Sequence, residues 1–129
     1  MFKHVSVSCG VGVCALAICS TFAFPAVAGE LPTGTFTANH TPFTMSIDDK
    51  GQFRVNQAAT LEVLGNYSVK ANVITFTDTS GPWACTGAGE NAGTYSWKYE
   101  DSVLTLAKVT DKCSDRVKSL VSRAWRRQN

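Results

Sequence analysis

Histidine is scarce in this 129-residue sequence, which contains only His4 and His40. A metal centre built on imidazole needs more ligands than that, and the available cysteines are better explained by a disulfide. The chain also has no Gly-x-Ser-x-Gly elbow and no cysteine–histidine pair for nucleophilic catalysis. These absences predict a protein that is not an enzyme and that uses no metal, no cofactor and no catalytic residue.

Two weaker catalytic arrangements remain open. His40 lies in a predicted loop, Asn39-His40-Thr41-Pro42, where it could act as a base. A carboxylate pair for glycoside cleavage could also be drawn from several acids, but the pattern selects no two of them. These acids are Glu62, Asp78, Glu90 and Asp111.

Charge is absent from residues 5–24, a run dominated by apolar side chains. Lys3 and His4 precede the run, Pro25 follows it, and Ala26-Val27-Ala28 places small residues at the −3 and −1 positions of a cleavage site. This three-part pattern is typical of a secretory signal. Residues 1–28 are therefore predicted to be a cleavable signal peptide.

The predicted mature chain begins near Gly29 and is secreted or periplasmic, with no stable membrane anchor after cleavage. An uncleaved anchor is the first alternative, but Ser, Gly and Cys dilute the run and no positive cluster follows it. Lipid attachment at Cys19 is the second alternative, but Ile18 stands where that modification needs a small residue.

Cysteine becomes sparse once the predicted signal is removed. Cys9, Cys14 and Cys19 leave with it, so Cys85 and Cys113 are the two that remain. Two cysteines in an oxidising compartment have a single intramolecular pairing. The sequence therefore predicts a Cys85–Cys113 disulfide.

Period-2 alternation dominates the mature region, and no βαβ pattern is present. In Phe43-Thr44-Met45-Ser46-Ile47 the apolar residues fall on every second position, as expected for a strand with one buried face. Turn signals at 48–51, 70–72 and 100–102 separate such runs, which predicts an antiparallel sandwich or barrel. The other alternating pairs are Phe53/Val55, Leu61/Val63, Tyr67/Val69, Ile74/Phe76, Tyr95/Trp97/Tyr99 and Leu104/Leu106.

One segment near the C-terminus has a helical pattern instead. Apolar residues recur at spacings of three, four, seven and eight from Val117 to Trp125, which predicts an amphipathic helix over residues 114–125, capped by Ser114. Residues 112–129 carry six basic side chains and one acidic one. In an exported chain this basic balance favours a solvated helix face, and no nucleic-acid partner is predicted.

An ordered series of motifs resembles a group of small, exported, largely uncharacterised bacterial domains that are lipocalin-like, or more broadly calycin-like. The resemblance covers about residues 33–125. The motifs are Gly-x-Tyr-x-Val (65–69), Ile-Thr-Phe-x-Asp (74–78), Gly-Pro-x-x-Cys (81–85), Gly-x-Tyr-x-Trp (93–97) and Leu-Thr-Leu-x-x-Val-x-Asp-x-Cys-x-x-Arg (104–116).

The resemblance implies an all-β, antiparallel up-and-down barrel of about eight strands, with residues 29–129 as one domain. Lipocalins open on a Gly-x-Trp strand whose tryptophan is covered by a basic residue. Here Gly34-Thr35-Phe36 places Phe36 at that position, and Arg116 is the candidate to cover it. Asp111 is expected to support the start of the helix or to pair with Arg116. A barrel of eight strands either fills with side chains or holds one small ligand.

The expected function is non-catalytic binding of a small hydrophobic or aromatic ligand inside the barrel. Trp83, in the loop beside Cys85, is a lid or an exposed contact residue. The alternatives are an interaction or inhibitor module that meets an envelope or extracellular protein through its loops and basic helix, and an enzyme on the same scaffold. The predicted interior contacts are Phe36, Met45, Phe53, Tyr67, Phe76, Tyr95 and Trp97.

Overall fold

Eight strands and one helix make up residues 30–129, the part of the chain that the computed structural model describes. The predicted signal peptide, residues 1–28, lies outside the described residues. The elements in chain order are β1 (Gly34–Ala38), β2 (Phe43–Ile47), β3 (Gln52–Gln57), β4 (Thr60–Lys70), β5 (Val73–Ser80), β6 (Ala92–Glu100), β7 (Val103–Asp111), α1 (Ser114–Val121) and β8 (Trp125–Arg127).

The strands form one closed barrel in which each strand pairs antiparallel with its neighbour along the chain. β1 and β8 close it, with Phe36 opposite Arg127 and Ala38 opposite Trp125. The predicted antiparallel up-and-down barrel of about eight strands, with one helix near the C-terminus, is therefore confirmed. Of the two all-β arrangements that alternation allowed, the chain adopts the barrel.

Tight turns connect the strands at one end of the barrel, which we call the turn end. They lie at residues 48–51, 71–72 and 101–102, where turn signals were predicted. Asp101 and Ser102 have φ angles of 52° and 64°. Two successive left-handed residues match the twist of the flanking strands, so the hairpin can be closed by two residues.

Long connections lie at the opposite end, which we call the loop end. Residues 81–91 join β5 to β6, and residues 112–124 join β7 to β8 and contain α1. Cys85 in the first connection and Cys113 in the second are joined by a disulfide, with their Cα atoms 6.3 Å apart. The two long connections are thereby held against each other over the loop end.

Aromatic side chains fill the middle of the barrel. Phe76 packs edge-on against Phe53, with ring centroids 4.9 Å apart, and against Tyr95, with centroids 5.9 Å apart. Phe36 and Trp125 are also fully buried in this core. Alternation therefore places the inward residues of many strands in one continuous apolar cluster.

The helix is shorter than the apolar pattern predicts. α1 ends at Val121, and Trp125, predicted to be its last residue, instead starts β8. The predicted end at residue 125 is wrong because Trp125 buries its whole side chain in the core and pairs with Leu104 of β7. Its indole N–H then donates to the carbonyl of Leu120 at 3.2 Å.

The helix also starts on a different cap. Cys113, whose backbone is extended, is the N-cap residue, and its sulfur accepts from the backbone N–H of Arg116. The predicted cap, Ser114, is the first helical residue. Among residues 30–129, no helix has both the length and the apolar character needed to cross a membrane.

Candidate functional site

A cavity of about 810 Å³ opens at the loop end of the barrel. The barrel forms one side, connection 81–91 a second, and α1 with the residues after it a third. The Cys85–Cys113 disulfide lies in the wall. The cavity therefore exists because the two long connections cover the barrel end without filling it.

The barrel side of the cavity is apolar. Phe53 separates it from the aromatic core, because its ring packs on Phe76 beneath. Val55 and Val63 are opposite each other in the register of β3 and β4. The apolar side chains from strands and helix in the wall are Phe43, Phe53, Val55, Val63, Leu120 and Trp125.

Three side chains form a cluster at the cavity mouth, which we call the rim cluster: Phe43, Trp83 and Arg123. The rings of Phe43 and Trp83 are 5.6 Å apart, and the Arg123 guanidinium lies 4.3 Å from the Phe43 ring centroid. Trp83 donates its backbone N–H to the carbonyl of Glu62 at 3.1 Å, yet its residue remains 51% exposed. The loop therefore holds Trp83 over the mouth without burying it.

Arg116 lies on the polar side of the cavity and is 8% exposed. Its Nε and Nη2 donate to the two carboxylate oxygens of Asp111, each at 2.7 Å. Nη1 lies 3.0 Å from Oδ2 of Asp78. Nη2 and Nη1 also donate to the carbonyls of Glu90 and Asn91, at 2.8 and 3.3 Å. One guanidinium thus ties α1 to β5, to β7 and to connection 81–91.

Asp111 receives further donors. The Tyr95 hydroxyl donates to its Oδ2, and the backbone N–H of Cys113 donates to its Oδ1 at 2.8 Å. Asp111 therefore both pairs with Arg116 and supports the start of the helix, the two roles considered from the sequence. Gly93 lies against the same carboxylate, and a Cβ at this position would overlap Asp111 Oδ2.

Burial and hydrogen bonds shift the pKa values of Asp111, Tyr95 and Arg116. Burial alone would raise the pKa of Asp111, but hydrogen bonds from Arg116, Tyr95 and the Cys113 N–H outweigh it and lower that pKa. Burial, reinforced by the Asp111 carboxylate, raises the pKa of the Tyr95 phenol. Burial opposes the charge on Arg116, but its carboxylate partners raise its pKa.

Asp78 has one carboxylate oxygen in use and one without a partner. Oδ2 receives Arg116 Nη1 and the backbone N–H of Cys85, the latter at 2.9 Å. Oδ1 is buried and has no hydrogen-bond partner among the atoms of residues 30–129. The residue is 5% exposed and lines the cavity. Asp78, on the polar side of the cavity, therefore carries an unsatisfied hydrogen-bond acceptor that itself has almost no accessible surface.

The predicted interior residues divide into two groups. Phe53 belongs to the core and also lines the cavity, whereas the other six belong to the core or pack against it and do not line the cavity. Tyr67, for example, donates its hydroxyl to the carbonyl of Asp48 at the turn end. Direct ligand contact by these residues stays a prediction. The six are Phe36, Met45, Tyr67, Phe76, Tyr95 and Trp97.

Arg116 is placed differently from the lipocalin-like expectation. It was expected to cover Phe36, but its donors are engaged by Asp78 and Asp111, which are stronger partners for a guanidinium than a ring face. Phe36 instead meets Tyr99 edge-on, with ring centroids 6.4 Å apart. Within residues 30–129, the arginine that lies over an aromatic ring is Arg123, on Phe43.

Sequence reasoning missed most of the cavity wall. Asp78 was considered as one of four candidate acids, and its place in the wall could have been predicted, since it continues the alternation of Ile74 and Phe76 and so faces inward. Nothing in the pattern identifies the rest, because the shape of two long connections selects them. The missed residues are Phe43, Val55, Val63, Leu120, Arg123 and Trp125.

His40 lies away from this cavity. It has a φ angle of 59° and lines a groove of about 290 Å³ between β1 and the residues of β8, with Arg126 and Arg127. Between residues 30 and 129, no three His, Cys, Asp or Glu side chains are grouped so that they could hold a metal ion. Of the four acids considered for catalysis, Asp78 and Asp111 come together, and both bind Arg116.

The chain matches no model of a protein family, no curated protein and no solved structure. The fold and the geometry of the cavity are therefore the basis for a functional conclusion.

Proposed function

We propose that this protein is an exported, lipocalin-like barrel that binds a small apolar or aromatic molecule, without catalysis, in the cavity at its loop end. The observation that carries the proposal is the cavity itself. Its volume of about 810 Å³ falls within the range of known small-molecule sites, which is about 300–1,000 Å³. Apolar walls with a few convergent polar groups are also typical of such sites.

The wall provides the interactions that an aromatic ligand needs. Phe53 offers a ring at the base of the cavity, and Val55 and Val63 offer branched aliphatic surface beside it. At the mouth, Trp83 is exposed enough to gain burial when a ligand arrives. Burial of apolar surface on both sides supplies about 25 cal/mol per Å² removed from water.

The proposal places the ligand at the barrel end and not in its centre. The middle of the barrel is occupied by the packed rings of Phe53, Phe76 and Tyr95. A ligand cannot enter there without displacing a close-packed core. The proposed ligand site therefore lies nearer the loop end than the interior site expected from the sequence, and Phe53 is a ligand contact in both.

Export is part of the same proposal. The signal-like pattern of residues 1–28 and the Cys85–Cys113 disulfide both fit an oxidising compartment outside the cytosol. A disulfide that holds the cavity wall together needs such a compartment to persist. Mass spectrometry of the exported protein should give a mature N-terminus at Gly29.

The experiment is a fluorescence titration with N-phenyl-1-naphthylamine, an apolar aromatic probe whose emission rises on burial. The purified mature protein should bind it at one saturable site. Val63→Trp, which adds an indole to the cavity wall, should weaken binding at least about 10-fold, because the wall cannot recede from a close-packed barrel.

Val69→Trp is the matched control. Val69 lies on the same strand, β4, but is 40% exposed and lies towards the turn end. It should leave probe binding unchanged, and both variants should keep the wild-type Tm within a few degrees. Absence of saturable binding by the wild-type protein, or equal binding by both variants, would contradict the proposal.

A protein-interaction module is the second candidate, favoured by the 51% exposure of Trp83. The two functions differ in what Trp83→Ser does. If Trp83 closes over a small ligand, the substitution weakens probe binding. If it serves a protein partner, the substitution leaves the affinity for N-phenyl-1-naphthylamine unchanged.

A further inference from the structure

We propose that the ligand of the loop-end cavity is a ring-bearing molecule whose polar end donates a hydrogen bond to Oδ1 of Asp78, as a primary amine or a hydroxyl group does. The inference rests on the proposed function and specifies the chemistry of its ligand. It excludes ligands whose polar end is a carboxylate.

The inference starts from the two unequal oxygens of Asp78. Oδ2 is held by the Arg116 guanidinium at 3.0 Å and by the Cys85 N–H at 2.9 Å. These contacts fix the orientation of the carboxylate. Oδ1, in the same rigid group, has no partner among the described residues. A buried acceptor without a donor is unfavourable. Oδ1 has almost no accessible surface, so a ligand's donor reaches it when the side chains around it shift, and the new hydrogen bond recovers that free energy on binding.

The charge of the buried groups favours a donor over an acceptor. The buried cluster contains two carboxylates, Asp78 and Asp111, and one guanidinium, Arg116. Its formal charge is therefore −1. Tyr95 adds no charge, because it donates its hydroxyl to Asp111 as a neutral phenol. A carboxylate brought close to Asp78 meets like charge in a site with little water, which is strongly unfavourable.

Arg116 does not offset the repulsion between Asp78 and a ligand carboxylate, because its own donors are already engaged. Its Nε and Nη2 are directed at Asp111, its Nη1 at Asp78, and both terminal nitrogens also meet backbone carbonyls. Lys112 and Lys118, at the mouth, are exposed, so water and salt screen them. Arg123 is half-buried there, with its guanidinium over the Phe43 ring. The buried polar atom of the cavity wall that is left without a partner among residues 30–129 is thus an acceptor, Oδ1 of Asp78.

The neighbouring apolar wall defines the other end of the ligand. Asp78 lines the same cavity as Phe53 and Trp83, so a molecule that reaches Asp78 also contacts rings. A compact aromatic body with a short polar arm fits both surfaces. Naphthalenes substituted at position 1 provide a series of such molecules that share the ring system and differ only in that substituent.

The experiment measures competitive displacement of N-phenyl-1-naphthylamine from the disulfide-bonded mature protein by four such compounds. They are 1-naphthylmethylamine, 1-naphthalenemethanol, 1-methylnaphthalene and 1-naphthoate. At least one of the two donor compounds should bind about 10-fold or more tightly than 1-methylnaphthalene, as a hydrogen bond to a charged acceptor predicts. The donor compound with the larger gain in affinity shows whether the site prefers an amine or a hydroxyl group. 1-Naphthoate should be the weakest.

Asp78→Asn tests the assignment to one side chain. The amide keeps an oxygen for Arg116 and the Cys85 N–H and turns the free position into an NH₂ donor. The donor preference should disappear, and 1-naphthoate should gain affinity relative to 1-naphthylmethylamine. Asp101→Asn, the same change in the β6–β7 turn at the opposite end, should preserve the wild-type order.

The outcomes separate the two proposals. If 1-methylnaphthalene binds and neither donor compound exceeds it, the donor inference is overturned while the binding function stands. If 1-naphthoate binds most tightly, the inference is likewise overturned. If no naphthalene binds and N-phenyl-1-naphthylamine does not bind either, the proposed function fails and the inference fails with it. The wild-type series decides even if Asp78→Asn does not fold.

Discussion

Arg116 and Asp111 meet in a two-pronged contact, with Nε on Oδ2 and Nη2 on Oδ1 at 2.7 Å each. The two residues lie five positions apart in the chain, on either side of the turn from β7 into α1. A planar guanidinium matches a carboxylate in this way, and a lysine ammonium cannot. The contact therefore sets the direction in which the helix leaves the barrel.

Replacement of that guanidinium should be strongly destabilising. Arg116→Lys keeps the charge but leaves Asp78 or Asp111 without a close partner, and we expect a loss of about 3 kcal/mol in the free energy of unfolding. Urea denaturation of the oxidised protein measures it. Arg123→Lys, at the half-buried rim, should lose about 1 kcal/mol or less. Similar losses in the two variants would contradict the role given to Arg116.

Tyr95 should make stability depend on alkaline pH. Its pKa is raised above the ordinary 10.0, first by burial and then by its bond to Asp111. A group with a raised folded-state pKa stabilises fully below its unfolded pKa and loses that contribution as pH rises through the folded value. Tyr95→Phe should therefore be less stable than wild type at pH 8, with the gap shrinking above pH 10. A gap that stays constant to pH 11 in urea titrations argues against this.

The disulfide should contribute to stability and to cavity shape together. Replacing both Cys85 and Cys113 by serine should lower the free energy of unfolding by about 3.5 kcal/mol, the value that loop-closure entropy gives for a loop of this length. Because the bridge lies in the cavity wall, the affinity for N-phenyl-1-naphthylamine should fall too. Retention of full affinity and full stability would show that the two connections hold their positions without it.

Gly93 should be intolerant of even a methyl group. In Gly93→Ala the Cβ would overlap Asp111 Oδ2 and lie close to Arg116 Nε, so a rigid ion pair would have to move. We expect a loss of about 1–3 kcal/mol, typical of overpacking. Gly87→Ala is the control, since a Cβ there would meet the carboxylate end of the exposed Glu90 side chain, which can turn away. Thermal unfolding of both variants distinguishes the two sites.

Strand positions were predictable because they depend on neighbours in the chain. In β2 the buried positions Phe43, Met45 and Ile47 alternate with half-buried ones, and this pattern can be read directly from the sequence. Hairpin turns such as 101–102 are equally local. Barrel closure could be inferred only through the resemblance to lipocalin-like domains, since alternation alone fits a sandwich as well.

The helix end and the cavity depend on contacts that are distant in sequence. The apolar spacing continues through Trp125, so it contains no information that the helix stops at Val121. The indole is instead drawn into the core beside Ala38 and Leu104. The cavity likewise combines Val63 on β4 with Leu120 on α1, whose proximity follows from the completed barrel and the cross-linked connections.

The closing contact of the barrel has a kinetic consequence. β8 is three residues long and pairs with β1, at the other end of the described chain. Such a junction has a large loop-closure entropy and few hydrogen bonds with which to offset it. The pairing of β1 with β8 should therefore form last during folding and open first during native-state fluctuations. Amide hydrogens of residues 125–127 should exchange with deuterium well before those of β5 and β6. The β1–β8 pairing is then the place where the barrel opens locally.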